Sequence, residues 1–185
     1  MLWQLRRLQH IHSHNFVHRD LKPSNIVMGT GKHANLAYII DFGLSKEFRN
    51  PNTHAHIPYS SGHGFTGSAA FASVNSHLGL ELGRRDDLES LAYILIYFLG
   101  GFLPWQDPGK DILALKQGIA SQDMFRELPV EFRTFLEASR SLSFHDKPNY
   151  EQYCNLFDNL LLQQGFENTP VFDWDVACGY SKGDN

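Results

Sequence analysis

Near the front of this 185-residue chain, four residues combine a base, a cation and two hard oxygen ligands: Asp20, Lys22, Asn25 and Asp41. Asp20 lies in the string His18-Arg19-Asp20-Leu21-Lys22-Pro23-Ser24-Asn25, and Asp41 in Asp41-Phe42-Gly43. Moving a phosphoryl group to a hydroxyl needs a carboxylate near the acceptor oxygen, and Asp20 supplies one. Lys22 can present a cation to the transferring phosphate, whose charge spreads over its equatorial oxygens. Asn25 and Asp41 bring oxygens of the kind Mg²⁺ takes when it also keeps phosphate oxygens and water in its shell. A lone His-Arg-Asp tripeptide arises by chance; one with Leu21, Lys22 and Asn25 in register and Asp41-Phe42-Gly43 downstream does not.

These residues need elements to hold them. Apolar residues Leu2, Leu5, Leu8 and Ile11 recur near the helical period and predict a helix over 2–14, with Asn15 as its stop. No cap residue precedes it, so Met1 reads as falling inside a helix. Short branched runs at 26–28 and 36–40, bounded by Gly29, Gly31 and Gly43, predict a small hairpin. Both chemical motifs then sit at strand-loop junctions. From Lys46 to Phe71 the pattern dissolves into Gly, Pro, Asn, His and Ser, an irregular stretch of the length that is usually functional. Helices return at 84–99, read as carrying the strongest apolar face in the chain, and at about 110–121, 130–142 and 149–164. The expected fold is mainly α with a small β-hairpin.

Composition narrows the classes. A hydrophobic fraction of 42% against 19% charged residues suits one globular domain. A formal net charge of -4 with scattered basic residues gives no electrostatic case for nucleic acid or an anionic membrane surface. Cys154 and Cys178 are too few for a disulfide framework and point to a reducing compartment. No apolar run approaches the ~20 residues that span a bilayer.

Other groupings have plainer explanations. Gly62-His63-Gly64-Phe65-Thr66-Gly67 fits a nucleotide-loop string, but it follows Asp41 and has no strand on either side, so it is not read as one. His10 and His14 share a helical face without a third ligand nearby and read as surface or packing residues. His18 reads as structural. Asp86 and Asp87 suit a helix N-terminus through the dipole alone. Trp3, Trp105 and Trp174 read as core or interface anchors.

Taken together, the residues resemble the casein kinase I family of serine/threonine protein kinases. Most protein kinases close the segment after Asp-Phe-Gly with Ala-Pro-Glu, whereas here Thr66-Gly67-Ser68-Ala69-Ala70-Phe71 runs into Ala72-Ser73-Val74-Asn75, an ending like that family's. Further matches are Ile11-His12-Ser13, Tyr38-Ile39-Ile40, His54-Ala55-His56-Ile57-Pro58-Tyr59, His77-Leu78-Gly79, Arg84-Arg85-Asp86-Asp87-Leu88-Glu89-Ser90, Leu103-Pro104-Trp105-Gln106, Arg140-Ser141-Leu142, Asp146-Lys147-Pro148 and Phe172-Asp173-Trp174. The resemblance implies a kinase C-terminal lobe over residues 1–175, with 176–185 as a tail. It implies ATP and Mg²⁺ as cofactors and protein Ser or Thr as acceptor. Asp20 would be the base and Lys22 the phosphate-contacting lysine, with Asn25 and Asp41 as magnesium ligands. Val27 and Ile40 would line the floor of the adenine pocket, and Ser68 would replace the usual threonine of the substrate-docking turn. Asp87, buried under the catalytic loop, would accept hydrogen bonds from loop backbone and from Arg19 or His18. Cytoplasm or nucleus is the location that the family implies.

The chain departs from that family in three ways. Ala70 stands where the family has an arginine that helps bind a pre-phosphorylated substrate. The stretch after Trp105 is short, with Lys110 and Lys116 as its lysines, which weakens a preference for acidic substrates. Residues 1–17 hold no lysine, glutamate, aspartate or glycine, so neither a glycine-rich phosphate cover nor a phosphate-gripping lysine lies there. The expectation is therefore a C-terminal lobe without its N-terminal partner, with an exposed apolar lobe-facing surface and little activity by itself. The competing reading is a non-catalytic binding module or scaffold, against which stand the intact Asp20, Lys22, Asn25 and Asp41. Neither reading fixes the oligomeric state or the substrate protein.

Overall fold

The computed structural model describes residues 2–118, 125 and 128–166. Trp174, Cys178 and the tail fall outside this range. The chain is mostly helical, with two small antiparallel ladders.

Helix α1 (Leu2–Ser13) buries Leu5, Leu8 and Ile11 on one side, the stripe that the spacing predicts. It ends where Asn15 turns left-handed at φ 72°, a conformation that asparagine tolerates better than most residues. Strand β1 (Phe16–Val17) follows. Strands β2 (Ile26–Met28) and β3 (Ala37–Ile39) form the predicted hairpin, with Ile26 opposite Ile39 and Val27 opposite Tyr38. This register turns Ile26 and Ile39 toward the core and leaves Val27 on the other face. A second ladder, β1 with β4 (Lys46–Glu47), lies outside the sequence reading. With two residues on each side it carries no periodicity to detect.

After the irregular segment, the short helix α2 (Val74–His77) is capped by Ser73, whose hydroxyl accepts from the Ser76 amide at 3.2 Å. Helix α3 (Arg84–Gly100) is the axis of the molecule, buried from Asp86 through Ile96 and closed by Gly101 at φ 79°. Around it pack α4 (Ile112–Gln117), α5 (Val130–Ser141) and α6 (Tyr150–Gln163), with α5 lying on α3 and α6 on α1. Edge-to-face rings join α5 to α6, Phe135 lying 5.1 Å from Tyr153 and 5.5 Å from Phe157 between centroids. Trp105 is buried as expected, and Tyr93 meets its ring edge-on at 5.0 Å. Trp3 is exposed, which removes the core half of its core-or-interface reading. Cys154 is a buried free thiol. No described helix is long and apolar enough to cross a membrane.

Candidate active site

The loop bearing Asp20 leaves β1 and is fixed from below by α3. Asp87 accepts from the His18 amide at 2.7 Å and the Arg19 amide at 2.8 Å. Its partners in the loop are thus two backbone groups and neither side chain. The Arg19 guanidinium donates instead to the Leu44 carbonyl at 2.6 Å. The side chain that does reach Asp87 is His12, whose Nε2 lies 2.8 Å from its Oδ2 while Nδ1 meets the Tyr150 hydroxyl. Donation from Nε2 to Asp87 leaves Nδ1 to accept from Tyr150. Burial alone would push the Asp87 carboxyl up, but the His12 hydrogen bond and the nearby histidines more than offset this and hold it below its ordinary value. His18 is fully buried, with Nε2 3.0 Å from the Ile40 carbonyl, which ties the loop to the end of β3.

These anchors leave Asp20 with defined partners. Its Oδ1 accepts from Ser68 Oγ and its Oδ2 from Lys22 Nζ, each at 2.8 Å. A 3₁₀ turn over Pro23–Asn25 folds Asn25 back so that Nδ2 donates to the Asp20 carbonyl at 3.0 Å. That bond fixes the side-chain amide and leaves its Oδ1 without a protein partner among the described residues. Asp41 is exposed and left-handed at φ 65°, one oxygen accepting from the Gly43 amide at 3.3 Å. A non-glycine residue held in that region costs about 1–3 kcal/mol and concentrates at functional turns. The hydrogen bond to Asp20 raises the Lys22 amine above its ordinary value against the opposing effect of burial, and the charge of Asp41 adds to it. Lys22 therefore sits in the field of both carboxylates.

Of the residues singled out in the sequence, Asp20, Lys22, Asn25 and Ser68 are joined by direct hydrogen bonds, and Asp41 faces the same lysine. Val27 and Ile40 are 37% and 41% exposed beside this cluster, so an apolar surface is available next to the charged one. Among the described residues no group of three His, Cys, Asp or Glu side chains gathers as a metal site, and His14 Nδ1 meets the His10 carbonyl at 2.9 Å. For a magnesium ion the fit is through Asn25 Oδ1 and the Asp41 carboxylate, oxygen donors that suit a hard cation which keeps water and phosphate ligands.

Ser68 reaches Asp20 because Gly67 lets the chain come close. Gly67 has φ 95°, and a Cβ there would stand 2.6 Å from the Arg19 carbonyl oxygen. The glycine string 62–67 belongs to this segment: the Thr66 amide and carbonyl are both bonded to the Ser76 hydroxyl of α2. Ahead of it, buried Glu81 receives Lys46 Nζ on both oxygens at 2.8 Å and has His63 Nε2 at 3.3 Å. His12 and Glu81 escape the sequence reading. The Ile11-His12-Ser13 string hinted at the first, and nothing local marks the second.

The protein kinase domain model matches residues 1–165 of the chain. The chain belongs to the protein kinase family. Phosphoryl transfer to protein substrates is the general activity of that family, and ATP and Mg²⁺ are its usual cofactors. In this kinase domain Asp20, Lys22, Asn25 and Asp41 lie on loops that β1, β3 and α3 hold from below.

Proposed function

We propose that the chain is a serine/threonine protein kinase domain of casein kinase I type, with Asp20 as the base for the substrate hydroxyl. The observation that carries this is the pairing of Asp20 with Ser68 on one oxygen and Lys22 on the other. An acceptor hydroxyl that displaces Ser68 from Oδ1 finds a carboxylate already oriented by the loop, and Lys22 stands where charge develops on the phosphate. Asn25 and Asp41 hold Mg²⁺, which when bound neutralises the phosphate charge. Val27 and Ile40 offer the apolar floor for adenine. The Ser-Val-Asn ending of the docking segment supports the casein kinase I assignment. Residues 1–175 act as one catalytic unit in this reading.

No glycine cover and no phosphate-gripping lysine lie in residues 1–17, so slow turnover is expected from residues 1–185 alone. Long incubation with MgATP and a mixed Ser, Thr and Tyr peptide pool, read by phosphoamino-acid analysis, tests the proposal. Phosphoserine or phosphothreonine is expected, reduced at least about 100-fold by Asp20→Asn. Calorimetry should show magnesium-dependent ATP binding that Asp41→Asn abolishes. Transfer that survives Asp20→Asn, or a chain that binds no MgATP, would overturn the assignment.

A further inference from the structure

Lys116 on α4 is fully buried, and among the described residues no carboxylate lies within ion-pair distance of it. Its ammonium carries three hydrogens, and three acceptors face it: the Ala69 carbonyl at 2.8 Å, the Ala72 carbonyl at 2.6 Å and His77 Nε2 at 3.2 Å. Below it lie the rings of Tyr93 and Trp105, with centroids 4.8 and 5.4 Å from Nζ. Trp105 Nε1 donates to the Ala70 carbonyl at 2.7 Å. Three carbonyls of the segment after Ser68 are therefore drawn toward α4 and the turn before it. The amides of Phe71 and Ala72 return to the Ser68 carbonyl at 2.9 and 2.8 Å, which closes the turn on the residue that meets Asp20.

We propose that Lys116 is a positioning residue for Ser68, an internal clasp whose amine is taken up by the docking-segment backbone and by His77 and does not face substrate. The inference rests on the roles given above to Asp20 and Ser68. It also changes the charge of the docking surface. The sequence reading took the sparse lysines after Trp105, Lys110 and Lys116, as weakening a preference for acidic substrates, and of the two only Lys110 is exposed, next to Asp111. Beside the clasp, Phe65, Ala69, His77, Lys110, Asp111, Ile112 and Leu113 line an open groove of about 400 Å³.

The clasp has a proton signature. Burial pushes the Lys116 amine down to about 7, with Glu89 of α3 opposing and Arg140 of α5 adding to the fall. His77 of α2 is lowered by burial and then by Lys116, and stays neutral above pH 7, although the Ala69 carbonyl 3.2 Å from its Nε2, Glu89 and Asp111 act against the shift. Tyr93 of α3 is raised and stays neutral as well. A neutral amine still closes the clasp, its two hydrogens donating to the Ala69 and Ala72 carbonyls. Opening the segment to water returns the amine to its ordinary 10.5, so the open form takes up a proton between about pH 7 and 10.5 and the closed form gains as pH rises.

Amide hydrogen exchange, corrected for the chemical rate, tests this without turnover. In Lys116→Met, residues 66–77 should exchange about tenfold faster while residues 91–95 of α3 stay unchanged. In the wild type, protection of 66–77 should rise from pH 7 to 9, by up to about tenfold per pH unit, a slope that Lys116→Met removes. Unchanged exchange in 66–77, or equal acceleration in α3, overturns the proposal. If Lys116→Met does not fold, the wild-type slope decides, and a flat profile overturns it. Exchange needs no catalysis, so failure of the Asp20 experiment and failure of this one are separate results.

Discussion

Two adjacent aspartates, chemically identical, are held in opposite protonation regimes by what surrounds them. Asp86 is buried and pushed up to about 6, first by desolvation, against hydrogen bonds from Gly83, Asn75 and Ser73. Asp87 is equally enclosed but lowered, because imidazoles and loop amides surround it. The signs follow from linkage. Asp86, raised when folded, contributes stability that is present below pH 3.8 and lost as pH rises through about 6. At about 1.4 kcal/mol per pH unit, that loss amounts to about 3 kcal/mol. Asp87, lowered when folded, contributes stability above pH 3.8 that is lost as pH falls through its folded value. Carboxyl carbon resonances followed by NMR should show Asp86 titrating near 6 and Asp87 below 3.8. Titration of both near 3.8 would contradict the burial of this turn.

At the scale of elements, the docking segment is held by side chains far away in sequence. Glu81 pins its approach through Lys46 of β4, Lys116 of α4 clasps its middle, and Asp86 of α3 holds Ser73 at its end. The close approach at Gly67 is the weakest point of this arrangement. Gly67→Ala puts a Cβ against the Arg19 carbonyl and strains a left-handed backbone, at a cost of about 2 kcal/mol or more. Denaturant unfolding should show that loss, and the Ser68 hydroxyl should no longer reach Asp20 in the variant's structure. The sequence made part of this legible. The Asp20 loop and the Asp41 turn are read directly, because their residues are spaced along one short stretch of chain. The α3 helix is read from its apolar run. His12, Glu81 and Lys116 were not legible as site-supporting groups, since each acts on a partner at least 35 residues away and no pattern encodes such a meeting. The β1–β4 ladder and α2 were missed for another reason: neither exceeds four residues, too short for a period to show.

For the whole molecule, the face beside the active site is wet and apolar at once. Phe16, Val27, Ile40, Phe42 and Leu44 are each more than a third exposed. His10, Ile11, His14, Phe16, Phe42 and Ser45 line a hollow of about 320 Å³ on the same side of α1. Such surface is unusual for a settled exterior and binds apolar probes. The folded chain should enhance the fluorescence of anilinonaphthalene sulfonate, and Val27→Lys with Ile40→Lys should cut that signal by about half while moving stability by less than about 1 kcal/mol. An unchanged signal would place the binding elsewhere. Deeper in the molecule, the first turn of α3 carries a further consequence. Asp86 grips the docking segment and Asp87 grips the catalytic loop, on consecutive positions of one rigid rod. Consecutive helical residues diverge by about 100°, so the two loops are indexed to one another by helical pitch. The meeting of Ser68 with Asp20 is thus set by a ruler that neither residue touches, and a single residue inserted into that turn would throw the two halves of the site out of phase without altering a group within it.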